Sequence, residues 1–258
     1  MLLRRLAEAV RQQNWFTVVI EILVVVVGIF IGLQVDDWNN ERKDRILEQR
    51  YLERLLEDVT LNIDEMQYAL DLAMERRAMG RLLIDALNDP DIARNNPTRF
   101  ITAIEQAGYT FLPVINDNTI EEIKFAGHLG LIRNESLRSE LTGYYNLIER
   151  YHQWSYLREA FQTGFSNSAL GILTPDQLDA IEMVRTYSDR NNERPAKPFP
   201  ADEAVAALEK MRQKQEFVDQ LYRGTNQGIT LRYVTTWKRT AEDLQGSLRA
   251  ELGLAEAD

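Results

Sequence analysis

From Trp15 to Val35 the chain loses its polar punctuation: TVVIEILVVVVGIFIGLQV carries one charge, Glu21, and the run is bounded by Trp15 and Trp38. These 21 residues make about 31 Å of helix at ~1.5 Å per residue, matching a hydrocarbon core of ~30 Å. β-branched residues dominate it, which is a poor helix composition in water. In lipid, however, every backbone N–H must be bonded within its own segment, so a single span has to be helical. The pattern predicts one transmembrane helix over 15–35, with tryptophans at the two interfaces.

Beyond the span the period changes to about 3.5. No proline occurs between Asp36 and Asn88, and Leu52, Leu56, Val59, Ile63, Met66, Leu70 and Ala73 alternate spacings of four and three. That seam predicts that the membrane helix continues outward as one rigid rod. Asn88-Asp-Pro-Asp ends it, and Asn95-Asn-Pro opens a short helix near Thr98–Ala107. A further short helix is expected from Asn118 to Ala126, stopping at Gly127. Asn134 is placed to cap a long helix reaching about Gly164, with Tyr144, Leu147, Ile148, Tyr151, Trp154 and Phe161 along one side.

Thr174-Pro-Asp-Gln177 combines a capping threonine, proline at the first helical position and a reciprocal glutamine, predicting a helix to about Thr186. Residues 188–200, SDRNNERPAKPFP, read as a surface loop. Ala201 to Ala250 is helical in pattern, with Gly224 and Gly228 as the expected kink and TLRYVTTW locally strand-like. The fold class is therefore all-α: an N-terminal transmembrane helix continuing into an antiparallel helical bundle. Its parts are a basic tail (1–14), the span (15–35) and an extramembrane domain (36–258).

Met1 to Asn14 is basic and amphipathic, and no small-residue cleavage site follows the apolar run, so an uncleaved signal anchor is expected. A count of basic residues near the span favours the downstream side, through Arg42, Lys43, Arg45, Arg50 and Arg54. These are interleaved with Asp36, Asp37, Glu41, Asp44 and Glu48, whereas Arg4, Arg5 and Arg11 sit on a short tail. The expected orientation therefore puts the N-terminus inside and the main domain outside.

Glu21-Ile22, the Val24–Gly28 run, Ile29-x-Ile31, Leu33-Gln34 and Trp38-Asn39-x-Glu41-Arg42-Lys43 resemble the signature of a family of uncharacterised bacterial single-pass membrane proteins, classified as a domain of unknown function. A second block, Ile120-Glu-Glu-Ile123, Gly127-x-Leu129-x-Leu131-Ile132, Glu135-Ser-Leu137-Arg138 and Tyr144-Tyr-Asn146, is similar to that family's central region. The resemblance implies a membrane anchor and a mostly helical polar domain, and no defined activity. With the orientation above, the expected location is the bacterial inner membrane with that domain in the periplasm.

Charge narrows the partners. The chain carries −10, and Arg4, Arg5 and Arg11 against Glu8 and Glu21 leave residues 1–35 at +1, so the remainder carries −11. Phosphate repels such a surface, which argues against nucleic acid. Cysteine is absent, and His128 and His152 are the only imidazoles. Glu149-x-x-His152 has the spacing of a helical di-metal ligand pair, but that chemistry needs the motif twice, so no metal is expected. Asp36, Asp37, Asn39, Asn40 and Glu41 fall on a helix rather than a wrapped calcium loop. No G-x-S-x-G elbow or phosphate-binding glycine loop occurs. No catalytic residue or cofactor is expected. His128 is most simply a loop residue.

Two candidate surfaces remain. Tyr145, His152 and Tyr156 share a face of the expected aromatic helix and are candidates to line a ligand pocket, although core packing accounts equally for the aromatics around them. In the span, Glu21, Val25, Gly28 and Gly32 fall on one side at about 100° per residue, and Gly28-x-x-x-Gly32 lets a second helix approach closely. The expected function is a membrane-anchored interaction, sensory or scaffold protein that forms homo-oligomers or binds a protein partner through that helix. The alternative is a subunit of a membrane enzyme or transport complex that uses Glu21.

Overall fold

With no proline or capping residue to stop it, the apolar run does not end as a helix at Val35. The computed structural model describes residues 15–109, 111–152, 155–181 and 197–254. In it a single helix, α1, covers Trp15–Asn88. All regular structure among the described residues is helical. After α1 come α2 (Asp91–Asn95), α3 (Pro97–Gln106), α4 (Asn118–Phe125), a 3₁₀ turn (His128–Leu131), α5 (Glu135–His152), α6 (Ser155–Ala169), α7 (Pro175–Ala180), α8 (Ala201–Arg212), α9 (Gln215–Gly224) and α10 (Gly228–Glu251). The chain divides into two units, Met1–Tyr51 and Leu52–Asp258.

In the first unit the described apolar side chains of α1 from Val19 to Ile46 are exposed, Val24 at 63% and Phe30 at 63% among them. It is long and apolar enough to cross a membrane.

The second unit is an antiparallel bundle organised around Leu52–Asn88 of α1. Thr60 accepts a hydrogen bond from Gln245 at 2.7 Å, and Thr225 packs against Gly80, so α10 runs opposite to α1. Beside the earlier part of α1 lie α4, held by Arg54–Glu122 at 2.7 Å, and the packed pair α5 and α10. Beside its later part, Met79, Leu83 and Ala86 share a core with Phe100, Ile104, Phe165, Leu208 and Phe217 of α3, α6, α8 and α9.

The buried stripe of α1 is offset from the apolar seam. Leu52, Val59, Met66 and Ala73 are buried as the spacing predicts, but the residues between them are Leu55, Asn62, Ala69 and Arg76, with Leu56, Ile63 and Leu70 half-buried. Helices on several sides of α1 widen its covered face, and two of the added positions are polar. Arg76 is satisfied there by donating to Gln106 Oε1.

Local signals set several helix ends. Gly127 takes φ 70° after α4, Asn134 Oδ1 accepts from Leu137 N at 3.2 Å, and Thr174 and Gln177 form the reciprocal capping box. The segment expected as one helix from Asn134 is helical over Glu135–His152 and Ser155–Ala169, residues 153 and 154 lying outside the described set; α5 packs on α10 and α6 on α9. The 201–250 stretch, expected to be helical with a kink at Gly224 and Gly228, is broken first between Arg212 and Gln215 and then at that kink. Its second break is held by Gln227, which takes a left-handed φ of 45° and donates from Nε2 to the carbonyls of Ala107 and Tyr109 at 3.3 Å each. Gly224 serves packing: a Cβ there would lie 2.3 Å from the Phe161 ring. TLRYVTTW is helical because Val234 and Trp237 continue the buried stripe of α10 with Ala241, Leu244 and Leu248. The Thr174 helix, expected to reach about Thr186, ends at Ala180, where Ile181 turns extended at ψ 150°; most of the 188–200 loop lies outside the described residues.

Candidate functional site

Where α2 and α3 fold back beside α1, they leave an open groove of about 610 Å³. Its apolar side chains are Met74, Ala78 and Leu82 of α1 and Ile92 of α2; its charged ones are Arg77, Arg81 and Asp85 of α1 and Arg99 of α3. The α1 members recur at helical spacing and form one face, at whose edge Leu82 packs against the core. Asp89-Pro90 stops α1 and reverses the chain, which brings Ile92 and Arg99 across from that face.

Arg99 is neutralised by Glu75 at 3.0 Å. Arg77 and Arg81 have no ion pair or side-chain hydrogen bond among the described residues. They stand one turn apart, an arrangement that costs an isolated helix about 0.2–0.5 kcal/mol through like-charge repulsion. Met74 is 53% exposed beside them. The groove thus offers an apolar strip beside two unpaired cations, in a unit whose overall balance is acidic. Sequence reasoning missed it. Its only signal was Arg77-x-x-x-Arg81, cations where the seam's alternate spacing of four and three runs on past Ala73 to position 77, which reads as the seam giving way to solvated surface until α2 and α3 are placed.

A second polar cluster is internal. Asp58 is only 8% exposed, and its carboxylate accepts from Thr119 N at 3.2 Å and Asn116 Nδ2 at 2.8 Å. Asn62 holds the backbone of Asn116 in both directions, accepting from its N–H at 2.7 Å and donating to its carbonyl at 3.0 Å. Asp58 therefore caps α4 from a neighbouring helix, where the free N–H groups and the helix dipole favour an anion. Against this cluster lie Tyr144 and Tyr145, ring centroids 4.8 Å apart, with buried hydroxyls that meet no partner at hydrogen-bond geometry among the described residues. Burial pushes both phenols well above the usual tyrosine range. The adjoining Asn62 side chain partly offsets this at Tyr144, while Tyr144, Asp58 and Asp117 add to it at Tyr145. Neutral and enclosed, these phenols are suited to packing rather than to proton transfer at ordinary pH.

Of the residues singled out for a pocket, Tyr145 is 6% exposed inside this cluster and Tyr156 is 56% exposed on the next helix, α6. His152 ends α5, and its side chain lies outside the described set. In the apolar part of α1, Glu21, Val25, Gly28 and Gly32 are all exposed, and a Cβ on either glycine would meet nothing within 4 Å. His128 opens the 3₁₀ turn after Gly127. Asn40 Nδ2 donates to Asp36 at 3.4 Å along the helix. No protein-family model matches the chain, and neither a curated protein nor a solved structure does.

Proposed function

We propose that this protein is a membrane-anchored helical interaction protein, a sensory or scaffold subunit of the bacterial inner membrane. Its 15–35 segment crosses the bilayer once, with the N-terminus cytoplasmic and the bundle on the periplasmic side. The observation that carries the reading is the apolar part of α1: none of its most apolar window is covered by the rest of the chain. An apolar cylinder about 30 Å long has no stable place in water, and a bilayer supplies both its length and its solvent. Glu21 is compatible with insertion. Fifteen Leu, Ile, Val and Phe residues between Phe16 and Val35, at roughly −0.3 to −0.6 kcal/mol each, outweigh a charge of roughly +2.5 to +3.5.

The interacting surface within the membrane is the side bearing Glu21, Val25, Gly28 and Gly32. Glycines let two backbones approach, and a protonated Glu21 donates a hydrogen bond across the contact. The test is crosslinking or a membrane two-hybrid assay on the full chain. Gly28→Ile and Glu21→Ala each weaken association, while Val26→Ile on another side does not. Because open space surrounds a Cβ at Gly28 within the chain, a loss in Gly28→Ile reports on the neighbouring helix rather than on folding. Equal association in all three variants would sink this surface.

A further inference from the structure

We infer that the groove between α1 and the α2–α3 turn is the docking site for an amphipathic helix of a protein partner, one that presents two carboxylates a turn apart and a basic residue one turn from them. This rests on the interaction reading and deepens it by naming a surface and the chemistry it accepts. Arg77, Arg81 and Asp85 follow one another at intervals of four residues, so the groove wall reads cation, cation, anion along successive turns. An antiparallel helix matches this with basic, acidic and acidic residues at intervals of three to four. Its apolar face then covers Met74, Ala78, Leu82 and Ile92. From Met74 to Asp85 the strip is about 17 Å long at ~1.5 Å per residue, three turns of a bound helix.

Charge decides the class of occupant. Within a chain of net charge −10, two arginines without partners stand together beside exposed apolar surface. An acidic segment removes their mutual repulsion and gains a forked hydrogen-bond donor at each position. A second copy of this chain fits less well. A two-fold axis at Arg81 pairs Arg77 with Asp85 twice but sets Arg81 against Arg81.

The test uses the full chain in its native membranes, with a diazirine amino acid in place of Met74 and the crosslinked peptide sequenced. The expected product is a helical segment of another protein with the basic–acidic–acidic stripe. Arg77→Glu with Arg81→Glu lowers the yield at least about tenfold, equivalent to about 1.4 kcal/mol. Arg77→Lys with Arg81→Lys keeps most of it, and exchanging the two carboxylates of the captured segment for arginines restores crosslinking to the reversed groove. Should the double reversal melt early, Arg81→Glu alone, at an exposed position, carries the comparison. A crosslink to a second copy, to lipid alone or to nothing overturns the assignment, as does a yield indifferent to charge reversal. Association through the Glu21–Gly28 side is scored in the same membranes. If it persists while Met74 captures nothing, only the groove falls; if both are lost, the interaction reading falls with it.

Discussion

Asp58→Ala removes the carboxylate that holds the start of α4 on α1. Two hydrogen bonds are lost, to Thr119 N at 3.2 Å and to Asn116 Nδ2 at 2.8 Å, both accepted by a side chain only 8% exposed. Bonds to a charged group contribute about 1.5–3 kcal/mol each, and a buried N–H left without a partner costs about 1–3 kcal/mol. These terms overlap, because the lost bond and the orphaned donor describe the same Thr119 amide, and Asn116 keeps its backbone contacts with Asn62. The expected cost is therefore about 3 kcal/mol rather than the full sum. At about 2–4 °C per kcal/mol for a domain of 150–250 residues, Tm falls by about 6–12 °C. Asp58→Asn retains one acceptor but turns an amide N–H₂ toward a donor, and it should cost about half as much. Thermal melts of the full chain in detergent, followed by circular dichroism at 222 nm, give the size of the effect. Amide exchange gives its place: protection should fall first at Thr119–Ile123. Asp64→Ala, at an exposed position on the same helix, serves as the control, within about 0.5 kcal/mol of the parent. If Asp58→Ala melts within about 1 °C of the parent, the capping argument is wrong.

Two glycines with opposite surroundings make a matched pair: a Cβ on Gly108 would lie 2.1 Å from the buried Phe165 ring, while one on Gly143 meets nothing within 4 Å. Gly108→Ala should destabilise by about 3 kcal/mol through overpacking, and Gly143→Ala, within α5, should stabilise by about 0.5–1 kcal/mol in the same melts; equal effects would refute the packing. Alkaline pH should also destabilise the bundle. Burial keeps Tyr144 and Tyr145 protonated in the folded chain, whereas the unfolded chain ionises them near the ordinary value of 10.0, so their contribution is whole below that pH and is lost as pH rises above it. Tyr144→Phe should flatten the fall in Tm between about pH 9 and pH 11, and an unchanged slope would show that these phenols do not set it.

The all-helical class, the apolar segment and several helix ends were legible in the residues because each has a local cause. Twenty-one residues almost without charge admit one structure in lipid. A capping box, a left-handed glycine or an Asn-Asp-Pro reversal acts within four or five residues, and Thr174–Gln177, Gly127 and Asn88–Pro90 behave as their chemistry requires. Tertiary packing decided what periodicity could not. Asn62 and Arg76 lie fully inside the bundle although an apolar count passes over them, because partners distant in sequence, Asn116 and Gln106, satisfy their polar atoms. The kink at Gly224 and Gly228 was legible, but what holds it was not: the Gln227 amide binds carbonyls at Ala107 and Tyr109, more than a hundred residues earlier. The groove belongs to the same category. Arg77 and Arg81 are a solvated helix face in the sequence and become one wall of a binding surface only when α2 and α3 fold beside them, because a concave surface is a property of two elements and not of either one's pattern.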